Sequence, residues 1–446
     1  MLVFGIHSAP VYEGGYIVML AILISIILLV VLAFKRVNIV VVGIVSASVM
    51  ALLSGQPLIS AIKDDYMSGA AGFVHANFLI FFFSVLFGRI MELTGAAASI
   101  SKFLADKLGE KYAILGVIFA GAILVYGGVT TLVVVFSLYP IALDLFKKAN
   151  LPRYLLPGAI AGGCFTFACA NFPGTPNLVN VIPIPYLGTT SMAAPLAGCI
   201  TGVAVMLLVI FYFLWEAKRA RSKGMGFIED ENVKESLGKA EQLENLPSPF
   251  LAVLPIVLIL IVLNILKQDV IVAMITGILL CSILFYKNVN NVREIFNYSA
   301  KNAAIAIINT AVVVGFGSVV KNSTGFADLL SLTDSIGGHP YVSFGTMTTL
   351  LAGACGSGSG GLGIALETMA DKYLAMGINP EVLHRIGSTA SVGLDSLPHN
   401  GAVITLLTIS GLTHKEAYKY IMVPTVIFTL IGLAVCIGIC ILLYPI

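Results

Sequence analysis

Polar backbone is not tolerated in hydrocarbon, yet this chain carries polar, helix-breaking stretches inside two of its apolar segments. The first to stand out is Ser388-Thr-Ala-Ser-Val-Gly-Leu-Asp395-Ser-Leu-Pro398-His399-Asn400-Gly401. It puts an acid, an imidazole, an amide, several hydroxyls and a proline between apolar runs. Irregular backbone at membrane depth persists only where it lines a cavity or is buried in protein. A second stretch answers it in the first half: Cys169-Ala-Asn171-Phe-Pro173-Gly174-Thr175-Pro176-Asn177. Two Pro-centred breaks at matching places in two halves point to the binding site of a transporter.

Composition makes the membrane setting firm. The 446 residues are 58% hydrophobic and 11% charged, with mean hydropathy +0.98. A soluble chain carries about 25% charged residues. Runs such as 16–34, 200–215 and 250–266 approach the ~20 residues needed to cross a bilayer. A net charge of +2 and no basic patch with interleaved aromatics argue against nucleic acid as a partner. The N-terminus lacks a basic region ahead of its first apolar run, which therefore reads as a retained helix. Seven cysteines lie in apolar segments with no Cys-x-x-Cys or Cys/His cluster, so they read as packing residues and no metal or cofactor is expected.

In chain order, helices are expected at 16–34 and 37–53, joined at Lys35-Arg36. An amphipathic connector, 57–72, precedes a helix at 73–93 that ends near Arg89 and Glu92, an i,i+3 pair. A polar loop then carries Lys102, Asp106, Lys107, Glu110 and Lys111. Residues 112–146 are too long for one span and too short for two with a loop. With Gly127, Gly128, Thr130 and Thr131 at the centre and lysines at both ends, they predict a re-entrant hairpin. A broken span, 154–185, and a helix, 192–215, complete the first half. Residues 216–249 are hydrophilic and read as a cytoplasmic linker.

The second half repeats the plan: helices at 250–266 and 270–286, a connector at 288–302 and a span at 303–321. A second hairpin, 341–374, follows, with the tip Gly356-Ser357-Gly358-Ser359-Gly360-Gly361. Then come a broken span, 382–412, and a last helix, 420–444. Thr94-Gly95 matches Thr324-Gly325, Leu151-Pro152 matches Asn379-Pro380, and Pro173 matches Pro398. The fold class is thus an all-α polytopic membrane protein of two inverted repeats, 1–215 and 250–446. The helices at 16–54 and 250–286 would be scaffold. Counting both hairpins as non-crossing places both termini outside. Of the 25 Lys and Arg residues, all but Lys63, Lys267, Lys321, Lys372 and Arg385 then fall on the cytoplasmic side.

Glycine tips let backbone approach a ligand, and helix starts carry roughly half a positive elementary charge that favours anions. Ser357, Ser359, Thr130, Thr131 and Thr175 add hydroxyls; Asn171, Asn177 and Asn400 add amides. The set suits a carboxylate with hydroxyl groups and needs no fixed cation. Against it stands simple helix packing by small residues, which is a weaker account of four clusters placed in pairs. Candidate ligand residues are therefore Gly127, Gly128, Thr130, Thr131, Asn171, Pro173, Gly174, Thr175, Asn177, Gly356, Ser357, Gly358, Ser359, Gly360, Pro398 and Asn400. Asp395 and His399 are candidates for proton coupling, with a helix-capping Asp395 as the bland alternative. Glu367 is either a further proton site or an outer-edge group. His75, His384 and His414 fall near predicted helix ends and read as interfacial. An intramembrane hydrolase built on Ser396, His399 and Asp395 is disfavoured, because five residues crowd a triad and no Gly-x-Ser-x-Gly or His-Glu-x-x-His occurs.

The motifs Phe82-Phe-Ser84-Val-Leu-Phe-Gly88-Arg89-Ile-Met-Glu92-Leu-Thr94-Gly95, Pro173-Gly174-Thr175-Pro176 and Tyr186-Leu-Gly188-Thr189-Thr190 carry a family likeness. So do Gly360-Gly361-Leu-Gly-Ile-Ala-Leu-Glu367, Leu394-Asp395-Ser-Leu-Pro398-His399-Asn400-Gly401-Ala-Val-Ile-Thr405 and Gly411-Leu-Thr413-His414-Lys415-Glu416. On these the chain resembles the gluconate/proton symporter (GntP) family of the ion-transporter superfamily, nearest in look to hydroxybutyrate-type members. The resemblance implies an elevator-type fold and proton-coupled uptake of a small organic acid anion. The expectation is therefore a symporter in the cytoplasmic membrane, its hairpins and broken spans forming a moving core, in a homodimer. The runner-up is a sodium-coupled dicarboxylate or citrate carrier of the same superfamily, and a channel or membrane enzyme carries little weight.

Overall fold

The computed structural model describes residues 13–35, 37–229, 233, 237, 246–289, 291–323 and 338–446, and among these the chain is helical with no strand. A bilayer leaves no water to satisfy backbone groups, so a helix is the way for each apolar run to close its own hydrogen bonds. Polar caps set where several helices start. Asn38 Oδ1 accepts from Val40 N at the head of Ile39–Leu53, and Asp269 Oδ1 accepts from Ile271 N at the head of Val270–Leu284. These two helices hold corresponding places in the two halves, and each is started by the same device.

Four helices among the described residues are long and apolar enough to cross alone: Leu58–Leu93, Pro195–Ser222, Val292–Lys321 and His414–Leu443. Two of them correct the sequence reading. The connectors expected at 57–72 and 288–302 are not separate interfacial helices. They run straight into the following spans as Leu58–Leu93 and Val292–Lys321. In the first case the wider π turn Ala61–Tyr66 carries Lys63, Asp64 and Asp65 without breaking the helix. The polar loop expected after Leu93 is also a helix, Ala96–Leu108, entered through Gly95 at φ 71° and bent by 106° from Glu110–Tyr126. Its charges Lys102, Asp106 and Lys107 fall on one side, while Ala97, Ile100, Ser101 and Ala105 are buried. The corresponding Thr324-Gly325 lies outside the described residues, as do Arg36 and much of 216–249.

Packing follows a two-fold pattern. Leu58–Leu93 lies along Val292–Lys321, and Pro195–Ser222 lies along His414–Leu443, each against its own counterpart. Glu13–Phe34 pairs with Ile39–Leu53 as Pro249–Leu260 pairs with Val270–Leu284. The second helix of each half then crosses to the other half: Ile39–Leu53 onto Val292–Lys321, and Val270–Leu284 onto Met67–Leu93. Glycines permit the closest crossings. A Cβ on Gly43 would sit 2.8 Å from Val312 O, and one on Gly315 would sit 2.6 Å from Tyr66 O.

Both hairpins form. Ala113–Tyr126 and Thr131–Lys148 pack against each other about a turn at Gly127-Gly128, and Pro340–Cys355 packs on Gly358–Ala375 about Gly356-Ser357. Both broken spans form as well. Leu156–Cys164 and Phe167–Ala170 stop before 171–177 and resume as Leu178–Val181; Pro380–Ser391 stops before 392–400 and resumes as Gly401–Ser410. If each hairpin enters and leaves by one face, single cysteines at the exposed positions Lys111 and Lys148 label from one side of the membrane. Those at Gly338 and Met376 label from the opposite side. Labelling of Lys111→Cys and Lys148→Cys from opposite faces would instead make the first hairpin a pair of crossings.

Candidate functional site

Each break is clasped to the tip of a hairpin from its own half. In the first, Thr175 Oγ1 donates to the carbonyl of Tyr126 at 2.9 Å, and Tyr126 OH donates back to Pro173 O at 2.8 Å. Asn264 Nδ2 donates to Gly174 O at 2.9 Å, and Gly174 N donates to Ser191 O. In the second, Asn400 Nδ2 donates to Gly356 O at 2.9 Å while its Oδ1 caps the next half-helix through Val403 N. A break side chain thus holds the carbonyl at the end of the first hairpin limb in both halves.

The two clasps differ in what surrounds them. The first is packed shut. A Cβ on Gly127 would meet Ile256 at 2.5 Å, and one on Gly128, whose φ is 89°, would meet Pro176 at 2.7 Å. Gly127, Gly128, Thr130, Asn171, Pro173, Gly174 and Thr175 do not line the cavity described below. At the second clasp, Ser357 Oγ accepts from Gly360 N at 3.2 Å, capping Gly358–Ala375. The Asp395 carboxylate takes the hydroxyl of Ser396 at 2.9 Å, and its other oxygen stands against Gly358. Asp395 therefore sets the break beside the head of the second hairpin limb. It does not cap the half-helix that follows, where Asn400 does that work. The His399 ring lies over Gly356, where a Cβ would meet its Cδ2 at 2.6 Å; with φ at 57°, that position is reserved for glycine.

Beside this second clasp opens a cavity of about 530 Å³. Its core wall contains Gly356, Ser357, Gly358, Ser359, Gly360, Asp395, His399 and Asn400, and the first break contributes Asn177 and the first hairpin Thr131. The opposite wall includes Ile39 at the head of Ile39–Leu53, Phe81 on Leu58–Leu93, and Asn309 and Thr310 on Val292–Lys321. The lining also includes Ser396, Cys164 and Cys169; none of these, nor Asn309 or Thr310, was among the candidate ligand residues read from the sequence. Glu367 is not at the cavity. It meets Lys321 Nζ at 3.8 Å and Ser318 Oγ at 3.5 Å on Val292–Lys321, as an edge group. Pro398 contributes its carbonyl to His414 Nε2 at 2.9 Å, so His414 serves the break and not only an interface.

Arg385 and His384 are the larger corrections. Both are fully buried, where the sequence reading set Arg385 outside and His384 at an interface. They lie on Pro380–Ser391 and reach across to the first break. His384 Nε2 meets Asn180 Oδ1 at 3.3 Å and Nδ1 meets Thr189 Oγ1 at 2.7 Å. Asn180 Nδ2 donates to Thr175 O and Ser191 O, so its Oδ1 is an acceptor and the proton of His384 sits on Nε2. A signal was available: Glu381, His384, Arg385, Ser388 and Thr389 fall at i, i+3, i+4, i+7 and i+8, a polar stripe on an otherwise apolar helix.

Residues 175–441 match the Na+/H+ antiporter family, a span that holds the second hairpin, the second break and most of the cavity wall. The chain belongs to that family. It is 36% identical over 406 residues to the uncharacterized transporter YxjC of Bacillus subtilis (strain 168), covering 82% of this chain and 86% of that protein. An uncharacterized transporter of Haemophilus influenzae is 28% identical over 344 residues, covering 75% and 77%. Among solved structures, the Alcanivorax borkumensis YdaH transporter, reported for its unusual topology, matches with a TM-score of 0.53 at 17% identity, over 96% of this chain and 98% of that one. That likeness carries the fold alone. This antiporter-family chain is a multi-pass membrane transporter and not an enzyme.

Within this transporter the glycines make separate predictions. A Cβ on Gly358 would lie 3.0 Å from Ser391 O and 3.1 Å from Asp395 Oδ2. Gly358→Val should cut uptake at least about tenfold with the protein still inserted, since overpacking of about 1–3 kcal/mol falls on the clasp itself. Gly128→Val should act mainly on stability, lowering the melting temperature in detergent, because its neighbour is Pro176 and not the cavity. Uptake rates and melting curves on the two purified variants check both.

Proposed function

We propose that the cavity is the substrate site of a secondary active transporter that moves a small organic hydroxycarboxylate, of gluconate or 3-hydroxybutyrate type, together with a proton. One observation carries this reading. The first turns of two half-helices, Gly358–Ala375 and Gly401–Ser410, line the same cavity as Ser357, Ser359, Asn177, Asn400, Asp395 and His399. The heads of helices favour a carboxylate, and hydroxyls and amides are the partners a hydroxy acid needs. The volume lies in the range of small-molecule sites, about 300–1,000 Å³. The cavity is bounded by the hairpin and break on one side and by the long helices on the other, an arrangement suited to a core that slides against a scaffold. A homodimer is the assembly this reading favours.

Coupling is assigned to Asp395 and His399. An anion bound beside them favours their protonated forms, so substrate and proton each tighten the other's binding, which symport requires. The family match supports a second reading: exchange of Na+ for H+ at Asp395, with no organic acid.

Proteoliposomes loaded under an imposed proton or sodium gradient separate the two. Symport predicts concentrative uptake of labelled gluconate or 3-hydroxybutyrate when the outside is acid. Sodium uptake driven by an outward proton gradient, with no acid accumulated, would replace this reading with exchange. Under symport, Asp395→Asn and His399→Ala should reduce gradient-driven accumulation about tenfold or more while reducing gradient-free exchange less. Accumulation that keeps its wild-type pH dependence in both variants would remove the pair from the coupling path.

A further inference from the structure

The first break is filled by a cation that the chain itself supplies. The guanidinium of Arg385 is fully buried, and no described carboxylate forms an ion pair with it. Its Nε donates to Ala193 O at 3.0 Å and its Nη2 to Ala193 O at 2.8 Å and Ser191 O at 3.4 Å. Its Nη1 faces Ala170 O at 3.2 Å, Asn171 O at 3.2 Å and Asn180 Oδ1 at 3.1 Å. Four backbone carbonyls and one amide oxygen therefore converge on one positive charge. Beside them, Asn171 Oδ1 is buried with no hydrogen-bond partner. Gly198 leaves the room: a Cβ there would lie 3.0 Å from Arg385 Nε and 2.7 Å from Asn171 O. Neutral oxygens converging without a carboxylate are how a monovalent cation is held at membrane depth, where unwound carbonyls do the coordinating. The second break has the opposite charge. It carries Asp395 on an open cavity, with no described basic ion-pair partner.

We infer that Arg385 is a resident cation that permanently occupies an oxygen-lined cation site at the first break, leaving the second break as the transporter's one exchangeable cation site. The inference rests on the coupled-carrier reading for its second half only. The first half concerns binding, and its test needs no transport.

Arg385→Ala, purified in detergent, should melt below wild type and recover at least about half of the loss on adding ~10 mM methylguanidinium, while choline at equal ionic strength restores none and wild type responds to neither. Absence of recovery with methylguanidinium and with sodium would overturn the cation site. Two further variants keep the test open if Arg385→Ala does not fold. Arg385→Lys keeps the charge and Arg385→Met keeps the bulk without it. The inference expects Lys to hold uptake at least tenfold above Met at similar expression; equal melting and equal uptake in the two would reduce Arg385 to packing. In wild-type liposomes one coupling ion should enter per acid, and two per acid would overturn the single exchangeable site. If wild type moves no acid at all, the carrier reading fails while the melting arm still decides the cation site.

Discussion

The structure depends on a hydrogen bond made twice, from a side chain in a helix break to the last carbonyl of a hairpin limb. Thr175 makes it to Tyr126 and Asn400 makes it to Gly356. Each break leaves helix-end carbonyls and N–H groups without intrahelical partners, at a depth where water is scarce. Leaving such a group unmet costs on the order of 1–3 kcal/mol. The clasp answers that cost by turning two defects towards each other, and so decides where hairpin and broken span must sit. The glycines follow from it. Gly356 takes φ 57° and lies under the His399 ring, while Gly128 takes φ 89° against Pro176, because only a bare Cα lets the strands of the clasp approach so closely.

The two clasps share a hydrogen bond, but the sequences within them make them unlike. At the first, Pro176, Ile256 and Asn264 close over the tip, and Arg385 fills what space remains among the carbonyls. At the second, serines replace bulk at the tip, and the charged group in the break is the carboxylate of Asp395. The cavity of about 530 Å³ lies beside this second clasp, and the first break reaches it through Asn177. The asymmetry explains why the polar candidates of the first break and hairpin, Asn171, Thr175 and Gly174 among them, are spent on packing and internal hydrogen bonds. Asn177 and Thr131 alone from that set reach the cavity.

Much of this was legible in the sequence. Hairpins, breaks and the paired order of helices were readable because proline and glycine inside apolar runs have few uses in a membrane. The connectors were misread because short charged runs such as Lys63-Asp64-Asp65 look like ends of spans, whereas a π turn lets the helix carry them through. Arg385 was misread because counting charges by side assumes that an arginine near a helix start snorkels to water. Its polar stripe, shared with His384, Ser388 and Thr389, pointed inward instead. The partner of that stripe lies some two hundred residues earlier, and pairing at that range is not written in local spacing.

The two walls of the cavity are held by close glycine packing, with polar pairs only at the edge. The long helices interlock through backbone approach, as at Gly43 over Val312 and Gly315 over Tyr66. Sliding one past the other would drive side chains into backbone. The second hairpin also packs closely on Val292–Lys321, where a Cβ on Gly363 would lie 2.7 Å from Val314 Cγ2 and one on Gly317 would lie 2.9 Å from Ile364 Cγ2, and only its outer edge adds Lys321 with Glu367 and Asp371, at 3.8 Å and 3.2 Å, with Asp371 largely exposed. Exposed pairs of this kind contribute about 0–1 kcal/mol each. Parting the hairpin from that helix would therefore cost little at these pairs and more at the glycine contacts. Under the proposed function, movement of the hairpin and break past the long helices is opposed at Gly317 and Gly363 and hardly at all by the polar edge, so the glycine contacts are where the seam resists sliding.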